Sequence, residues 1–349
     1  MNYSKKDKLY KFFNKKSVLI TGGTGSLGNA LTRIFLKNHK LKRLVIFSRD
    51  EMKQSEMMKN YSSLDKKGIL RFFIGDVRDL ERIKFAMRDI DYVIHAAALK
   101  HVDIAEYNPM EHVNTNITGG KNVIDASFYN NIKKVIALST DKAVNPINLY
   151  GATKLVSDKL FVSSNNISGN QKTRFSVVRY GNVVSSRGSV VPFFVSLKRK
   201  NSNFFPITDK NMTRFWITLE QSAYLVLNSF LKMYGGEVFV PKIPSINIID
   251  LAKAIDPNKK IKIIGIRPGE KLSEILCSKD EYFNTIEFKD YYLIKPTIRF
   301  VDKKIDYQIS KDSVRGKPVA KNFEYSSSNN KNFLSIPELK NFIKSEFNK

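Results

Sequence analysis

The chain has 349 residues, of which 42% are hydrophobic, and carries a formal net charge of +26. A single cysteine, Cys277, excludes a disulfide scaffold, and no apolar run reaches the ~18 residues of a membrane span, so we expect a cytoplasmic protein without membrane insertion. The lysines are spread along the chain among many asparagines rather than gathered in a basic stripe with aromatics, which argues against nucleic-acid binding.

Residues 1–16 are basic and lack the apolar segment of a signal peptide, so we expect a tail. Apolar runs then alternate with helical patterns through residue 181. The predicted strands are residues 17–21, 43–47, 69–75, 92–95, 135–139 and 175–180, and helices are predicted at 29–38, 80–88 and 111–130. This alternation predicts an α/β fold in which residues 17–181 form a Rossmann-like, doubly wound parallel sheet.

The pattern changes in the second half of the chain. Short strands at 237–240 and 262–264 mix with helices at 219–233, 248–254 and 270–276, and prolines punctuate them. A polar loop at 311–330 and a terminal helix at 336–347 follow. We expect residues 182–349 to form mainly a smaller substrate-binding lobe, interleaved with the first domain.

A glycine cluster lies between the first predicted strand and the helix that follows it. The glycines are Gly22, Gly25 and Gly28, in the spacing G-x-x-G-x-x-G. Such a loop lets backbone N–H groups approach a pyrophosphate at the positive end of a helix. A glycine turn before a helix is often only structural, but this position in an alternating chain favours dinucleotide binding.

The end of the second predicted strand bears on which dinucleotide is bound. NAD-binding folds usually place a carboxylate about 20 residues after the glycines. This chain has Ser48 and Arg49 there, with Lys53 nearby, and a hydroxyl with two cations suits the 2′-phosphate of NADP. Asp50 could instead hold a ribose. After the third strand, Asp76 could accept from the adenine amino group or cap a helix.

The stretch after the fifth predicted strand carries the densest chemistry. Ser139 and Thr140 lead into Asp141 and Lys142, and Tyr150 follows with Lys154 four residues later. Residues four apart share one face of a helix, so the Lys154 ammonium could lower the pKa of the Tyr150 phenol for acid–base work. A simple alcohol dehydrogenase has no need of the additional aspartate and lysine, which indicates a reaction beyond hydride transfer.

Four polar residues in the second half are candidates for the substrate side. Asn182 follows a strand and could bond a sugar or phosphate, Arg214 and Arg267 could clamp a diphosphate, and Glu270 could accept from a ribose. Each is more commonly a surface or capping residue. His95 and His101 have no companions at metal-ligand spacing, so we expect no metal site.

Several stretches together resemble the inverting UDP-N-acetylglucosamine 4,6-dehydratases, which are extended short-chain dehydrogenases/reductases. The likeness runs from about residue 16 to the C-terminus. The stretches are 22–28 (GGTGSLG), 47–56 (FSRDEMKQSE), 75–81 (GDVRDLE), 95–101 (HAAALKH), 139–155 (STDKAVNPINLYGATKL), 176–184 (SVVRYGNVV), 212–217 (MTRFWI) and 264–272 (IGIRPGEKL).

The resemblance implies a residue-by-residue assignment. The catalytic residues would be Thr140, Asp141, Lys142, Tyr150 and Lys154. NADP would contact Gly22, Thr24, Gly25, Ser26, Leu27, Gly28, Ser48, Arg49, Lys53, Asp76, Val77, Ala96, Lys100, Tyr150 and Lys154. UDP-N-acetylglucosamine would contact Lys100, Asn182, Arg214, Arg267 and Glu270.

The resemblance also implies a mechanism and an assembly. Lys142 would be the C5 base, with its pKa depressed by partial burial and by Lys154, whereas related retaining dehydratases carry glutamate at that position. A 4-epimerase of the same family is the alternative function, and a homo-oligomer, dimer or hexamer, is expected. The chain departs from the family pattern at Asp103, Ser185 and Ser273, the last two of which bear on the sugar or nucleotide pocket.

Overall fold

A computed structural model describes residues 3–169, 171–184, 189–298 and 305–347. Seventeen strands are assigned in these ranges. They are β1 Ser17–Thr21, β2 Arg43–Ser48, β3 Leu70–Ile74, β4 Tyr92–His95, β5 Lys134–Thr140, β6 Arg174–Tyr180, β7 Asn182–Val183, β8 Phe204–Ile207, β9 Thr213–Ile217, β10 Val238–Pro241, β11 Ser245–Asn247, β12 Lys260–Ile263, β13 Ile275–Cys277, β14 Thr285–Glu287, β15 Tyr291–Ile294, β16 Lys317–Pro318 and β17 Tyr325–Ser326.

Twelve α-helices are assigned in the same ranges. They are α1 Tyr3–Phe13, α2 Ser26–Asn38, α3 Glu51–Tyr61, α4 Leu80–Ala86, α5 Val102–Tyr107, α6 Pro109–His112, α7 Gly119–Tyr129, α8 Leu149–Ser163, α9 Val190–Arg199, α10 Leu219–Lys232, α11 Ile248–Ile255 and α12 Ile336–Phe347. A π-helical turn, Val113–Thr118, joins α6 to α7, and 3₁₀ turns occur at Asp141–Ala143 and Lys279–Asn284.

A ten-stranded sheet organises the molecule, in the order β16-β14-β15-β10-β6-β5-β4-β1-β2-β3. The seven strands from β10 to β3 are parallel, whereas β15, β14 and β16 join antiparallel. All five residues of β1 are buried, as its apolar run predicts. The predicted α/β class with a large parallel sheet is confirmed.

The order of the strands reverses between β1 and β4. Chain order runs outward from β1 to β3 on one side and from β4 to β6 on the other. In open parallel sheets a ligand crevice forms at such a switch point, outside the carboxyl ends of the strands. The glycine loop after β1 and the segment after β4 therefore face the same crevice.

Strands from the second half of the chain contribute both to the main sheet and to a separate layer. β10, β14, β15 and β16 extend the main sheet, while β7, β9 and β11 form a three-stranded sheet. A second apolar cluster lies around Phe194, Phe205 and Trp216, with Leu251 and Leu339 also buried in it. Met212 and Trp216 of this cluster flank Arg214 in the sequence.

The basic N-terminal segment is not simply a tail. Tyr3–Phe13 is helical, and Leu9 and Phe13 are buried. The Phe13 ring packs edge-on against Phe35 and Phe230 at centroid distances of 5.2 and 5.6 Å. The apolar residues in this segment recur at helical spacing, a signal that the high charge obscured.

The helix predicted at 270–276 is wrong. This segment turns and then forms β13, and its polar backbone groups bond to other segments. Glu274 N–H donates to the Ser327 hydroxyl at 2.9 Å, and the Leu272 carbonyl accepts from Thr213 N–H at 3.0 Å. These long-range bonds replace the bonds that a helix would make internally. Across the described ranges, no helix is long and apolar enough to cross a membrane.

Candidate active site

The glycine loop is packed so closely that side chains would not fit at two of its positions. Gly22 has φ +65°, and a Cβ there would lie 2.8 Å from the Ala97 backbone. A Cβ on Gly28 would lie 2.1 Å from the Gly23 carbonyl oxygen. The loop therefore leads straight into α2 beside the segment after β4, as a backbone cradle for phosphate requires.

The other loop residues predicted to contact the cofactor also lie at the start of α2. Gly25 occupies the N-cap position, Ser26 begins the helix, Thr24 is buried and Leu27 packs on the core. Ala96 N–H donates to the Thr21 carbonyl at 3.1 Å, which fixes the opposite wall. The residues on both sides of the crevice fit a bound dinucleotide.

The cations predicted at the end of β2 differ in their surroundings. Arg49 is half-exposed and lies 3.4 Å from the Asp76 carboxylate. Lys53 instead pairs with Asp50, which caps α3 by accepting from Lys53 N–H at 2.9 Å. Ser48 is buried, and its hydroxyl accepts from the Gln54 amide at 3.0 Å. Arg49 is thus the cation best placed toward the crevice, and Asp50 has a capping role.

Asp76 does not cap the following helix, because Asp79 occupies the N-cap position of α4. The Arg78 guanidinium binds Asp76 at 2.7 Å. Burial alone would raise the pKa of Asp76, but hydrogen bonds from Arg78 and the charge of Arg49 hold it below its usual value. Val77 is buried beside it, and its carbonyl accepts from Asn122. The Asp76 carboxylate is therefore held ionised at the crevice.

Tyr150 and Lys154 lie one turn apart at the beginning of α8. The helix starts at the Asn148 cap, whose side chain accepts from Gly151 N–H at 2.8 Å and donates to the Gly269 carbonyl at 2.8 Å. A Cβ on Gly151 would lie 2.1 Å from the Lys142 carbonyl oxygen. Gly151 therefore lets α8 approach the turn that carries Asp141 and Lys142, a role that we did not predict.

Lys154 is buried above an ionic network in the core. Burial lowers its pKa, against the charge of Asp158 one turn further along α8. Asp158 accepts from the Ser139 hydroxyl at 2.6 Å and lies 3.7 Å from Arg179. Glu281 accepts from Arg179 at 3.2 Å and extends the network. Ser139 thus helps to hold Asp158, the carboxylate whose charge acts on Lys154.

The Tyr150 phenol is not acidified in the protein alone. Burial raises its pKa to about 12, against the opposing charge of Lys142 and hydrogen bonding by Thr140. The expectation that Lys154 would bring this pKa down is wrong here. Lys142 is the nearby cation that favours the phenolate.

Asp141 and Lys142 form a 3₁₀ turn at the end of β5. Asp141 is buried, and its Oδ1 accepts from the Thr140 hydroxyl at 2.9 Å and from Lys142 Nζ at 3.2 Å. Its Oδ2 is buried without a hydrogen-bond partner. Fold and sequence thus bring the five predicted catalytic residues together at one strand end.

Glu274 is a site residue that we did not predict. It is 1% exposed, and its Oε1 accepts from Lys142 Nζ at 3.0 Å. Burial lowers the pKa of Lys142, but the Asp141 and Glu274 charges outweigh that effect, and the pKa lies above its ordinary value. The expectation of a depressed Lys142 pKa is therefore wrong for the protein alone.

The predicted substrate residues converge from three segments. Arg214 of β9 is buried and lies 3.6 Å from Glu270 and 4.0 Å from Glu274. Glu270 also accepts from exposed Arg267 at 3.0 Å. The Asn182 Oδ1 is buried without a hydrogen-bond partner. β7 pairs with β9, which places Asn182 on the strand next to the one that carries Arg214.

Lys100 also lies near the catalytic turn. Desolvation and the charge of Lys142 lower its pKa. The Asn116 side chain bonds both the N–H and the carbonyl of Leu99 at 2.9 Å and donates to the Thr153 hydroxyl at 3.0 Å. Asn116 lies within the π-helical turn, so this irregularity fixes the Lys100 loop against α8.

The remaining predicted residues are peripheral. His95 is buried, and its Nδ1 bonds the Thr21 hydroxyl at 2.8 Å, while His101 is exposed. The charge of Asp103 acts on Arg267, and Ser273 is half-buried beside Glu274. Ser185 lies outside the described residues. Among those that are described, no group of three acidic, histidine or cysteine residues is arranged to hold a metal.

Comparisons with known proteins agree with this geometry. The polysaccharide biosynthesis protein family matches residues 18–296. The inverting UDP-N-acetylglucosamine 4,6-dehydratase of Campylobacter jejuni is 58% identical over 331 residues, which cover 95% of this chain and 98% of that protein. The UDP-glucose 4-epimerase of Rickettsia bellii is 43% identical over 339 residues, which cover 95% and 96%.

A solved structure extends the likeness to the whole fold. The crystal structure of Pen from Bacillus thuringiensis has a TM-score of 0.84 at 38% identity and covers 96% of this chain and 99% of that one. The predicted resemblance to inverting UDP-N-acetylglucosamine 4,6-dehydratases is thereby confirmed. The chain belongs to the polysaccharide biosynthesis protein family and has the fold of an extended short-chain dehydrogenase/reductase.

Proposed function

We propose that this protein is a UDP-N-acetylglucosamine 4,6-dehydratase that inverts C5. It is a hydro-lyase whose product is a UDP-linked 4-keto-6-deoxy-L-arabino-hexose, a precursor for surface or flagellar glycan sugars. The observation that carries this proposal is the cluster of Asp141 and Lys142 beside Tyr150 and Lys154. The 58% identity to a dehydratase of that name supports it.

The first part of the reaction needs a base for the C4 hydroxyl. Tyr150 takes that proton, and the raised phenol pKa means that substrate and cofactor must lower it on binding. In the protein alone the charge of Lys142 and the Thr140 hydroxyl favour the phenolate, and we propose that Lys154 joins them when the cofactor is bound. A nicotinamide dinucleotide held by the glycine loop would supply a hydride acceptor for C4 and a hydride donor for C6, so no net oxidation would occur.

The second part is the loss of water. The C4 ketone acidifies the C5 hydrogen, which Lys142 removes as base. Lys142 Nζ lies 3.2 Å from Asp141 Oδ1, so a proton passed from the ammonium to the carboxylate leaves a neutral amine as the base and a carboxylic acid, which protonates the departing C6 hydroxyl. Lys142 then returns a proton to C5 on the opposite face, which inverts the centre. The C4 proton that Tyr150 holds restores the Lys142 ammonium at the end of the cycle.

The cofactor is a nicotinamide dinucleotide, which this enzyme family uses. We propose NADP, because Arg49 is half-exposed beside the crevice, whereas Asp50 is engaged as a helix cap. The gap-free packing at Gly22 and Gly28 supports a pyrophosphate cradle. Asp76 would accept from the adenine amino group.

We propose that the second half mainly supplies the substrate side. Arg214 and Arg267 would bind the diphosphate, Glu270 the ribose, and Asn182 the sugar or phosphate. A UDP-sugar is the class of substrate that fits the family, and we propose UDP-N-acetylglucosamine as the particular substrate. We also propose a cytoplasmic homo-oligomer, dimer or hexamer, in line with the resemblance.

Incubation with UDP-N-acetylglucosamine and NADP tests the function. We expect a product lighter by one water, with inverted C5 and one deuterium at C5 when the reaction runs in heavy water. Mass spectrometry and NMR measure these quantities. A product of unchanged mass with altered C4 would contradict the dehydratase and favour the epimerase, which the 43% identity to a protein of that name keeps as the second candidate.

Lys142→Ala tests the base assignment. We expect C5 deuterium uptake to fall to background, because no other amine contacts both Asp141 and Glu274 among the described residues. Lys253→Ala, on the exposed side of α11, is the matched control and should leave uptake unchanged. Undiminished uptake in the Lys142 variant would overturn the assignment.

A further inference from the structure

Glu274 is fixed in place by groups from two segments. Its backbone N–H donates to the Ser327 hydroxyl at 2.9 Å, and its carbonyl accepts from Ser327 N–H at 2.8 Å. Its side chain is buried and reaches across to Lys142 Nζ at 3.0 Å. The second carboxylate oxygen, Oε2, is buried without a hydrogen-bond partner.

This arrangement is expensive for a residue with only a packing role. Burying a carboxylate with one oxygen unpaired costs free energy that an apolar side chain of similar size would avoid. That cost is offset where the charge serves a cation, and the cation in direct contact is Lys142 at 3.0 Å, with Arg214 further away at 4.0 Å. Buried charges with specific partners in a cleft are typical of functional sites.

We propose that Glu274 is a positioning residue for the dehydration step, which holds the Lys142 amino group beside Asp141 and keeps it protonated before substrate binds. The inference rests on the proposed function and goes beyond it by adding a carboxylate from the second half of the chain. Glu274 then sets the pH at which Lys142 becomes available as the C5 base.

The groups that face Lys142 come from every segment around it. They are Asp141 of the same turn, Glu274 before β13, Arg214 of β9, Lys100 after β4, Lys271 of the preceding turn and Tyr150 of α8. The two carboxylates contact Lys142 Nζ directly, at 3.2 and 3.0 Å. Removal of the Glu274 charge leaves one carboxylate against three cations, so the pKa of Lys142 must fall.

The sign of the effect follows from this balance. Only the neutral amine can remove the C5 hydrogen, so exchange at C5 rises as pH passes the Lys142 pKa. In Glu274→Gln we expect the midpoint of that rise to move down by about one pH unit, since one unit is ~1.4 kcal/mol of interaction. Loss of positioning should also lower the plateau rate by about tenfold, the effect of ~1.4 kcal/mol.

The experiment measures C5 deuterium uptake from heavy water by the NADP-loaded enzyme with UDP-N-acetylglucosamine, from about pH 7 to about pH 11.5, because the raised pKa of Lys142 places the midpoint above the ordinary lysine value of ~10.4. Glu287→Gln is the matched control, because Glu287 pairs with Lys242 in a partly exposed salt bridge away from the site. Its midpoint should equal that of the unmodified protein. An unchanged midpoint in Glu274→Gln, with or without a slower rate, would overturn the inference.

Glu274→Asp serves where the glutamine variant does not fold. Aspartate keeps the negative charge, but its side chain is one methylene shorter, so the carboxylate lies further from Lys142 Nζ. We therefore expect a smaller downward shift of the midpoint. An unshifted midpoint would count against the positioning role of Glu274. Failure of the proposed function looks different. In that case the unmodified protein releases no water from the substrate, which would overturn both proposals together.

Discussion

Arg49 is the residue on which the choice between NADP and NAD depends in this protein. Its side chain is half-exposed and 3.4 Å from Asp76, which Arg78 also holds. A 2′-phosphate would replace a weak contact of Arg49 with a charge-assisted hydrogen bond. Asp76 would keep Arg78 as its partner when Arg49 turns to the phosphate.

Arg49→Leu should therefore weaken NADP selectively. A hydrogen bond to a charged group contributes about 1.5–3 kcal/mol, so we expect the NADP dissociation constant to rise by about tenfold or more. The NAD dissociation constant should change by less than about twofold. Calorimetric titration with each dinucleotide measures both values.

Arg71→Leu is the control for this prediction, because Arg71 is exposed on β3 and donates to the Gly68 carbonyl. It should bind both dinucleotides as the unmodified protein does. Equal losses of NAD and NADP affinity in the Arg49 variant would contradict a contact with the 2′-phosphate.

The individual site residues differ in how well they can be predicted from the sequence. Tyr150 and Lys154 can be predicted from the sequence because residues three or four apart are neighbours on a helix face. Glu274 cannot, because it meets Lys142 across 132 residues and lies in a segment with a helical pattern. Gly151 could have been found, since a glycine directly after a reactive tyrosine indicates close approach of another backbone.

At the scale of elements, α1 shows how an apparent tail can be part of the fold. Phe13 is fully buried and packs against Phe35, Tyr92 and Phe230, which come from α2, β4 and α10. The helix therefore closes one side of the main sheet. Asp7, Lys8 and Lys11 of the same helix are exposed.

Phe13→Ala should destabilise the whole molecule. Replacing a buried phenylalanine by alanine costs about 3–5 kcal/mol, because the ring leaves a cavity that the neighbours fill only partly. Urea denaturation measures the loss of unfolding free energy. Lys11→Ala, exposed on the same helix, should change it by less than about 0.5 kcal/mol. A loss of under about 1 kcal/mol for Phe13→Ala would show that α1 is only loosely attached.

Elements were predictable where their own sequence decides their structure. The strands β1, β2, β4, β5 and β6 are short, largely apolar and mostly buried, so their existence and order follow from the alternation. The segment before β13 is different, because hydrogen bonds from Thr213 and Ser327 decide its conformation. A pattern within one segment carries no information about such partners.

For the whole molecule, the net charge of +26 affects how anionic ligands arrive. Lys100, Arg214, Arg267 and Lys271 lie around the site, and many further cations cover the surface. Long-range attraction raises the local concentration of a nucleotide sugar, and dissolved salt screens it over about 10 Å at ~0.1 M.

Raising sodium chloride from ~0.05 to ~0.5 M should therefore raise the KM for UDP-N-acetylglucosamine by several-fold, since exposed charges are screened strongly. The kcat should change little, because Lys142 and its carboxylate partners are largely buried. Steady-state kinetics measure both constants, and sucrose at matched osmolarity is the control. A fall in kcat at constant KM would contradict this account.

The bond between Lys142 and Glu274 also has a consequence for the newly made chain. Closing a contact across 132 residues requires that the second half be synthesised and docked, since such long-range contacts form late. The glycine loop, by contrast, needs only strands from the first hundred residues. During synthesis the chain would become able to bind a dinucleotide before Glu274 could position Lys142. A partly folded enzyme would therefore be unable to catalyse the dehydration of the sugar.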